Sequence, residues 1–287
     1  MGQSVSRERL AVSNFPYTKF SLEYTLNSLE RLGGGAMELY AAEPHFCVED
    51  SSLAEARMLR RRLLAHRLHL VCFTPEQMKY PINIASCIPA GRGRSISMFE
   101  KSLLYAAELE CPAVLIHAGY PLNDEPEAEA WKRSVESLSH LCILAERLGV
   151  KIVMESVDVR WKTLLRNASK TVEMIRLVGS PALGAVIDTM TAAYGGEETG
   201  AMMDTLQGHV LHCHISDGHA GRQALEHLIP GEGELPLPQM LDAMVSRGYR
   251  GSFSVELLAG FEDRPEEAMK KSLSWLLTWS AHCAQRR

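Results

Sequence analysis

The sequence contains no apolar run near the roughly 18 residues that a membrane span requires, and its N-terminal region lacks the hydrophobic core of a signal peptide. It also contains no run of about five or six like charges, and its formal net charge is −5. These absences indicate a soluble protein for which neither a membrane nor nucleic acid is the default partner. No Gly-x-Gly-x-x-Gly loop follows the first β-rich segment, so a dinucleotide-binding fold is not indicated.

The cysteines do not form a disulfide framework. There are seven of them, an odd number, without regular spacing, and they lie in apolar segments such as Leu70–Phe73 and His140–Ile143. Buried, reduced thiols are typical of cytoplasmic proteins, so a cytoplasmic location is predicted.

Short β-rich segments alternate with longer amphipathic segments along the chain, a pattern typical of βα units with a parallel sheet. Because parallel strands need both faces covered, we predict an α/β fold, a single-domain (β/α)8 TIM barrel over 1–287. Residues 1–9 are expected to form a flexible leader and 280–287 a flexible tail. An open doubly wound sheet is the alternative. The predicted strands are Leu10–Phe15, Ala36–Tyr40, His69–Phe73, Ala113–His117, Lys151–Glu155, Gly184–Asp188, Val210–Ile215 and Ser252–Glu256.

Long connections follow the third, fourth and seventh predicted strands. They are Thr74 to Ser97, Ala118 to Pro126 and Ser216 to Pro236. In a barrel of this type they are βα loops, which lie on the face where catalytic sites are built.

The last four predicted strands each end in, or contain near the end, a side chain that can bind a metal. These are Glu155, Asp188, His214 and Glu256, separated by 33, 26 and 42 residues, which is one or two strand-plus-helix units. In a closed barrel they would converge at one mouth. Three carboxylates and an imidazole suit one hard or borderline divalent cation, and Mn, Co, Ni, Zn and Mg all remain candidates.

The chain resembles the xylose-isomerase-like sugar isomerase and epimerase superfamily, and within it the fructoselysine 3-epimerase and tagatose 3-epimerase group. The resemblance extends nearly from end to end and depends on the order of its motifs and their common place at strand ends. The motifs are Met37–Tyr40 with Glu43–His45, Phe73–Glu76 with Tyr80–Asn83, His117–Tyr120, Met154–Glu155, Val186–Asp188, His212–Asp217, Ile229–Gly233 and Ser254–Leu257.

This resemblance implies that Glu155, Asp188, His214 and Glu256 bind the divalent cation. It further implies that Glu155 and Glu256 are the catalytic acid and base, acting on opposite faces of a planar cis-enediolate. His212 is expected to pack toward the helices, with only His214 facing the interior.

Candidates for substrate binding lie on the second, third and fourth βα units. Each could instead have a structural role, because polar residues at strand ends often hydrogen-bond to loops at the barrel rim. Aromatic residues in loops often only pack against neighbouring side chains. The candidates are Glu38, His45, Tyr80, His117 and Tyr120.

One departure concerns the substrate. Tagatose-type 3-epimerases carry a histidine three residues after the metal-binding aspartate, and here Thr191 occupies that position. The resemblance therefore implies a metal-dependent epimerase acting at C3 of a ketose or of a ketosamine such as fructoselysine, with the ketosamine favoured.

Other functions remain open at this point. A sister enzyme could be an aldose-ketose isomerase or a dehydratase of the inosose or dehydroshikimate type. An AP endonuclease of the endonuclease IV type would need further metal ligands and a basic groove, and a non-catalytic sugar-binding barrel would not need two opposed glutamates. The expected partner is a small-molecule sugar, and a homo-oligomer is a common assembly for such enzymes.

Overall fold

The computed structural model describes residues 5–78, 81–156, 163–219, 226–258 and 260–285. Within them, parallel strands form a closed barrel in the order β1 to β8, with β8 pairing to β1. The predicted (β/α)8 barrel is confirmed. The strands are β1 (Leu10–Ser13), β2 (Gly35–Ala41), β3 (Leu68–Pro75), β4 (Ala113–Ile116), β5 (Lys151–Glu155), β6 (Leu183–Asp188), β7 (Val210–Ile215) and β8 (Ser252–Val255).

Helices cover the outside of the barrel, and short 3-10 turns at Arg7–Arg9 and Phe15–Tyr17 flank β1. None of the described helices is long and apolar enough to cross a membrane. The α-helices are α1 (Leu22–Arg31), α2 (Leu53–Ala65), α3 (Pro89–Glu108), α4 (Glu127–Leu148), α5 (Ala168–Val178), α6 (Thr189–Gly195), α7 (Thr199–Leu206), α8 (Leu237–Ser246) and α9 (Pro265–Gln285).

The connection predicted over Thr74 to Ser97 is shorter than expected, because α3 already begins at Pro89. Proline suits the first helical position, since its fixed φ is helical and its missing N–H would have no intrahelical partner there. The Ser95 hydroxyl then ties the helix to the preceding loop, accepting a hydrogen bond from the backbone N–H of Asn83 at 2.9 Å.

Described residues near both ends of the chain make defined contacts or belong to a helix. The Arg7 guanidinium donates to the carbonyl oxygens of Leu10 and Gly34 at 2.7 and 2.8 Å. Arg9 donates to the carbonyl oxygens of Gly251 and Tyr249, both at 2.9 Å. Residues 5–9 are therefore attached where β2 and β8 begin, and α9 continues through most of the predicted tail. Residues 1–4 and 286–287 lie outside the described residues.

The core has an outer and an inner part. The larger apolar cluster contains strand and helix side chains and includes the buried thiols of Cys111, Cys142 and Cys213. A smaller buried cluster contains Val153 and Val186, each two residues before a predicted ligand, with Cys72, Ala113 and Leu115. Because residues two apart share a face of a strand, this second cluster lies beneath the predicted ligands.

Strand register brings the predicted ligands to one end of the barrel. Asp188 pairs with His214 between β6 and β7, and Glu155 pairs with Val186 between β5 and β6. Glu256 follows the last residue of β8, and its backbone N–H donates to the carbonyl of Ile215 at 3.0 Å. The sequence positions at strand ends therefore become neighbours in space.

Candidate active site

Four side chains meet at the carboxyl end of the barrel: Glu155, Asp188, His214 and Glu256. One ligand atom from each lies within 4.8 Å of those from all the others. Nδ1 of His214 is 3.0 Å from Oε1 of Glu155 and 3.2 Å from Oε2 of Glu256. The imidazole thus lies between carboxylates that come from β5 and from the end of β8.

Asp188 shows that this cluster fits a cation. Its Oδ1 accepts the backbone N–H of Thr191 at 2.5 Å, capping α6, whereas its Oδ2 is buried without a hydrogen-bond partner among the described residues. A buried carboxylate oxygen without a partner is costly, and a bound cation would satisfy it. Three carboxylates and one imidazole are a donor set that suits a divalent cation.

The buried negative charges of the cluster favour a positive charge among them, either a cation or a proton on His214. Burial raises the pKa of the Asp188 carboxyl to about 7. Burial alone would lower the pKa of His214, but the carboxylates of Glu38, Glu256 and Glu155 outweigh it and hold that pKa well above its usual value. In the chain alone, a proton on His214 therefore supplies the positive charge that a cation would otherwise bring.

His212 does not pack toward the helices, and that prediction was wrong. Residues two apart on a strand share a face, so His212 and His214 both point into the barrel. Nε2 of His212 is 2.8 Å from Oε2 of Glu38, and Nε2 of His214 is 2.9 Å from Oε1 of the same carboxylate. Glu38, proposed from the sequence as a substrate contact, is fully buried beneath the cluster instead.

A cavity of about 380 Å³ is lined by three of the four clustered side chains, Glu155, His214 and Glu256. Its lining includes the rings of Phe15 and Tyr40, which stack with their centroids 4.9 Å apart. Two further carboxylates, Glu76 and Glu262, face the same space. The described lining residues are Phe15, Thr18, Tyr40, Thr74, Pro75, Glu76, Gln77, Met78, Leu115, His117, Glu155, His214, Glu256, Leu258 and Glu262.

The other predicted substrate contacts are distributed differently. His117 lines the cavity, and its Nδ1 has no hydrogen-bond partner among the described residues. His45 lies away from the cavity, where Asn14, Thr25 and the Phe20 carbonyl contact its two ring nitrogens at 2.8 to 3.1 Å. Tyr120 is not among the described residues that line the cavity. Tyr80 lies outside the described residues.

Two residues near the site were not singled out from the sequence. His227, in the connection between β7 and α8, is buried with Nε2 3.4 Å from Oε2 of Glu256. Gln77 holds the end of β4, because its Oε1 accepts the backbone N–H of His117 at 2.8 Å. Nothing in the local sequence pattern indicates either contact, since both join segments that are distant along the chain.

Asp217 organises the connection that carries His227. Its Oδ1 accepts the backbone N–H groups of Gly218 and Leu235 at 2.8 and 3.0 Å, and its Oδ2 accepts that of Gly231 at 2.8 Å. The space is tight, because a Cβ on Gly233 would lie 2.3 Å from Oδ1. One carboxylate thus fixes three points of the loop.

The substitution Asp217→Asn is expected to lower the free energy of unfolding by about 2 kcal/mol, because an amide NH₂ replaces one acceptor and leaves a buried N–H unsatisfied. Urea denaturation measures the loss. Asp124→Asn, at an exposed position in the connection before α4, is the control and should change stability less. Equal stability of Asp217→Asn and the wild type would contradict the role of this carboxylate.

The chain is 26% identical over 257 residues to fructoselysine 3-epimerase of Escherichia coli O157:H7, covering 90% of this chain and 93% of the relative. It is 26% identical over 239 residues to D-psicose 3-epimerase of Ruminiclostridium cellulolyticum, covering 82% and 77%. A solved D-tagatose 3-epimerase-like protein has the same fold, with a TM-score of 0.81 at 20% identity over 97% of this chain and 99% of that one.

A sequence model of the xylose isomerase-like TIM barrel family matches residues 26–279. This match covers nearly the whole barrel, from within α1 to near the end of α9. The resemblance inferred from the strand-end motifs is confirmed. The chain belongs to the xylose isomerase-like TIM barrel family.

Proposed function

We propose that this protein is a divalent-metal-dependent epimerase that inverts C3 of a ketose or ketosamine. The observation that carries the proposal is the placement of Glu155 and Glu256 on either side of His214 Nδ1, at the base of a cavity large enough for a sugar. The names of the relatives, fructoselysine 3-epimerase and D-psicose 3-epimerase, support the same reaction class.

The two glutamates supply the acid and the base. One carboxylate accepts the proton from C3 and leaves a planar cis-enediolate, and the other, protonated, returns a proton to the opposite face. Glu155, Asp188, His214 and Glu256 would hold the cation. When bound, the cation supplies Lewis acidity that lowers the barrier to loss of a proton beside the ketone.

The lining of the cavity suggests where the substrate would be held. His117 lines the cavity, and its imidazole can hydrogen-bond a sugar hydroxyl there. Burial lowers the pKa of His117, so its imidazole is neutral at pH 7 and can accept or donate. The apolar side chains of Met78 and Leu258, both partly exposed at the mouth, would contact a substituent longer than a free sugar.

A ketosamine is favoured over a free ketose for two reasons. Thr191 stands where tagatose-type enzymes have a histidine, and in this structure its backbone N–H is used by Asp188. In addition, the carboxylates of Glu76 and Glu262 line the cavity and can attract the amino group of an amino-acid-linked sugar. Fructoselysine is a substrate of this kind.

The reaction is tested by proton NMR in heavy water with cation-reconstituted protein, fructoselysine and a panel of free ketoses. We expect exchange of the C3 hydrogen together with appearance of the C3 epimer. Hydrogen transfer between C1 and C2 would instead reveal an aldose-ketose isomerase, and release of water a dehydratase. Cleavage of abasic-site DNA would indicate an endonuclease, and no reaction in any assay would indicate a non-catalytic barrel.

The proposed recognition of a positively charged substrate group is tested with the substitution Glu262→Gln. We expect the KM for fructoselysine to rise by roughly 5-fold, the effect of losing a partly exposed ion pair, while the KM for a neutral ketose stays unchanged. Glu129→Gln, on the exposed face of α4, is the matched control and should change neither value. An equal rise for both substrates would argue against recognition of a cationic substituent.

A further inference from the structure

The fully buried carboxylate of Glu38 contacts Nε2 of His214, the ring nitrogen on the side away from Glu155 and Glu256. Nε2 of His214 is 2.9 and 3.1 Å from the two oxygens of Glu38, 176 residues away in the sequence. The same carboxylate lies 2.8 Å from Nε2 of His212 and accepts the hydroxyl of Thr74 at 2.6 Å. Three side chains from two other strands thus converge on Glu38.

The chemistry of these contacts determines where the imidazole proton lies. An ionised carboxylate only accepts hydrogen bonds, so Nε2 of His214 must carry a proton in order to donate to Glu38. A neutral imidazole has a single N–H, and its other nitrogen, Nδ1, then presents a lone pair. That lone pair points to the space between Glu155 and Glu256, where the cation of the proposed function would bind.

We propose that Glu38 is a positioning residue that fixes the orientation and tautomer of His214 for cation binding. This inference rests on the cation of the proposed function. A carboxylate behind a metal-bound histidine holds the ring in place and raises the basicity of the coordinating nitrogen. The register of β2 against β3 shifts between Met37 and Glu38, an irregularity of the kind that redirects a side chain.

The same residues do not form a second metal site. Glu38, Cys72 and His212 have potential ligand atoms within 4.8 Å of one another. However, both oxygens of Glu38 already have hydrogen-bond partners, Nε2 of His212 among them at 2.8 Å, whereas Oδ2 of Asp188 in the other cluster has none among the described residues. Glu38 already accepts from two imidazoles and one hydroxyl. The cluster is therefore a hydrogen-bond network that supports His214, and we expect one bound cation in the part of the chain that the structure describes.

The test measures Co²⁺ binding by competition with a chelator, the visible spectrum of the Co²⁺-loaded protein, and the melting temperature of the metal-free protein. Glu38→Gln keeps the shape of the side chain and removes its charge. We expect its Kd for Co²⁺ to rise by about 10- to 100-fold and its ligand-field bands to shift. Thr74→Val removes one donor to Glu38 without touching His214 and should raise Kd by roughly 3-fold.

Cys72→Ala is the matched control, because Cys72 is as buried as Glu38 and is paired with it between β2 and β3, and its side-chain hydrogen-bond partner is Thr74 rather than His214. It should keep the wild-type Kd, spectrum and stoichiometry of one. Wild-type Kd and spectrum in folded Glu38→Gln would overturn the proposal, even if its melting temperature fell. If Glu38→Gln fails to fold, an unchanged Kd in Thr74→Val overturns it. A second equivalent of Co²⁺ that Cys72→Ala removes would also overturn it.

These measurements do not require turnover. A wild-type protein that binds Co²⁺ but epimerises no sugar would contradict the proposed reaction, while the comparison of Kd values would still decide the role of Glu38. A wild-type protein that binds no divalent cation would overturn both.

Discussion

The substitutions Glu155→Gln and Glu256→Gln are each expected to lower the kcat of epimerisation by about 10²- to 10⁴-fold, the usual contribution of a positioned acid or base. An amide cannot accept or return the C3 proton, although it keeps the size of the side chain and one potential ligand oxygen. Turnover is measured by the rate at which one C3 epimer appears from the other, with cation content determined for each preparation.

Deuterium exchange at C3 can distinguish the roles of Glu155 and Glu256. If the two glutamates act on opposite faces, a variant that lacks one can still remove and return a proton on the face of the other. Each variant should therefore exchange the C3 hydrogen of one epimer in heavy water without forming the second epimer. Glu155→Gln and Glu256→Gln should show opposite preferences for the starting epimer.

A control separates this effect from general damage to the cavity. Glu262→Gln changes a carboxylate that lines the cavity but is not among the four clustered side chains, and it should keep near wild-type kcat. Undiminished epimerisation in a cation-loaded Glu155→Gln or Glu256→Gln protein would rule out the acid-base assignment.

Removal of the divalent cation is expected to abolish turnover reversibly, with a loss of at least about 10³-fold, since Lewis-acid stabilisation contributes several kcal/mol in such reactions. In the metal-free protein, the buried Oδ2 of Asp188 has no hydrogen-bond partner among the described residues. The raised pKa of His214 favours a proton on Nδ1, which lies 3.0 Å from Glu155 and 3.2 Å from Glu256. The carboxylates of Glu155 and Glu256 then accept hydrogen bonds from the Nδ1–H group of His214, which makes them weaker bases toward a substrate.

The experiment is dialysis against a chelator, followed by assay before and after addition of Mn, Co, Ni, Zn or Mg ions. Protein dialysed with a chelator already saturated with the same ion is the control. Circular dichroism should show the barrel intact throughout, because its apolar core does not involve the cluster. Full turnover in protein shown to be free of metal would refute a metal-dependent mechanism.

The sequence was most informative about strands and the residues at their ends. The predicted bounds of β5 and β7 agree with the structure, because each is a short β-rich segment between helical patterns. In a parallel barrel, a residue at the end of one strand is necessarily close to the residue that ends the next. The meeting of Glu155, Asp188, His214 and Glu256 at one mouth was therefore foreseeable without coordinates.

The sequence was least informative where tertiary contacts override local preference. Gly91 and Gly93 disfavour a helix, yet both lie in the first turns of α3, which begins at Pro89. Conversely, a tail was predicted from residue 280, whereas α9 extends to Gln285, with Leu276 and Trp279 packed in the core just before that segment. Packing against the barrel, which a local window cannot detect, decides both cases.

The network beneath the site could be predicted only in part. The shared face of His212 and His214 follows from the two-residue period of a strand, and applying that period would have placed His212 correctly. Their common partner, Glu38, could not be predicted from the sequence. It lies more than 170 residues away across the barrel, and no local pattern indicates which strand-end carboxylate points inward and which binds a substrate.

The anchoring of Arg7 and Arg9 determines how this protein could be fixed to a surface. Both guanidinium groups bond to carbonyl oxygens just before β2 and β8, whereas the cavity opens where the strands finish. A linker attached ahead of Val5 would leave from the face opposite the cavity. A protein tethered to a bead or sensor chip through such a linker would therefore turn its mouth toward the solution, where substrate diffuses in unhindered.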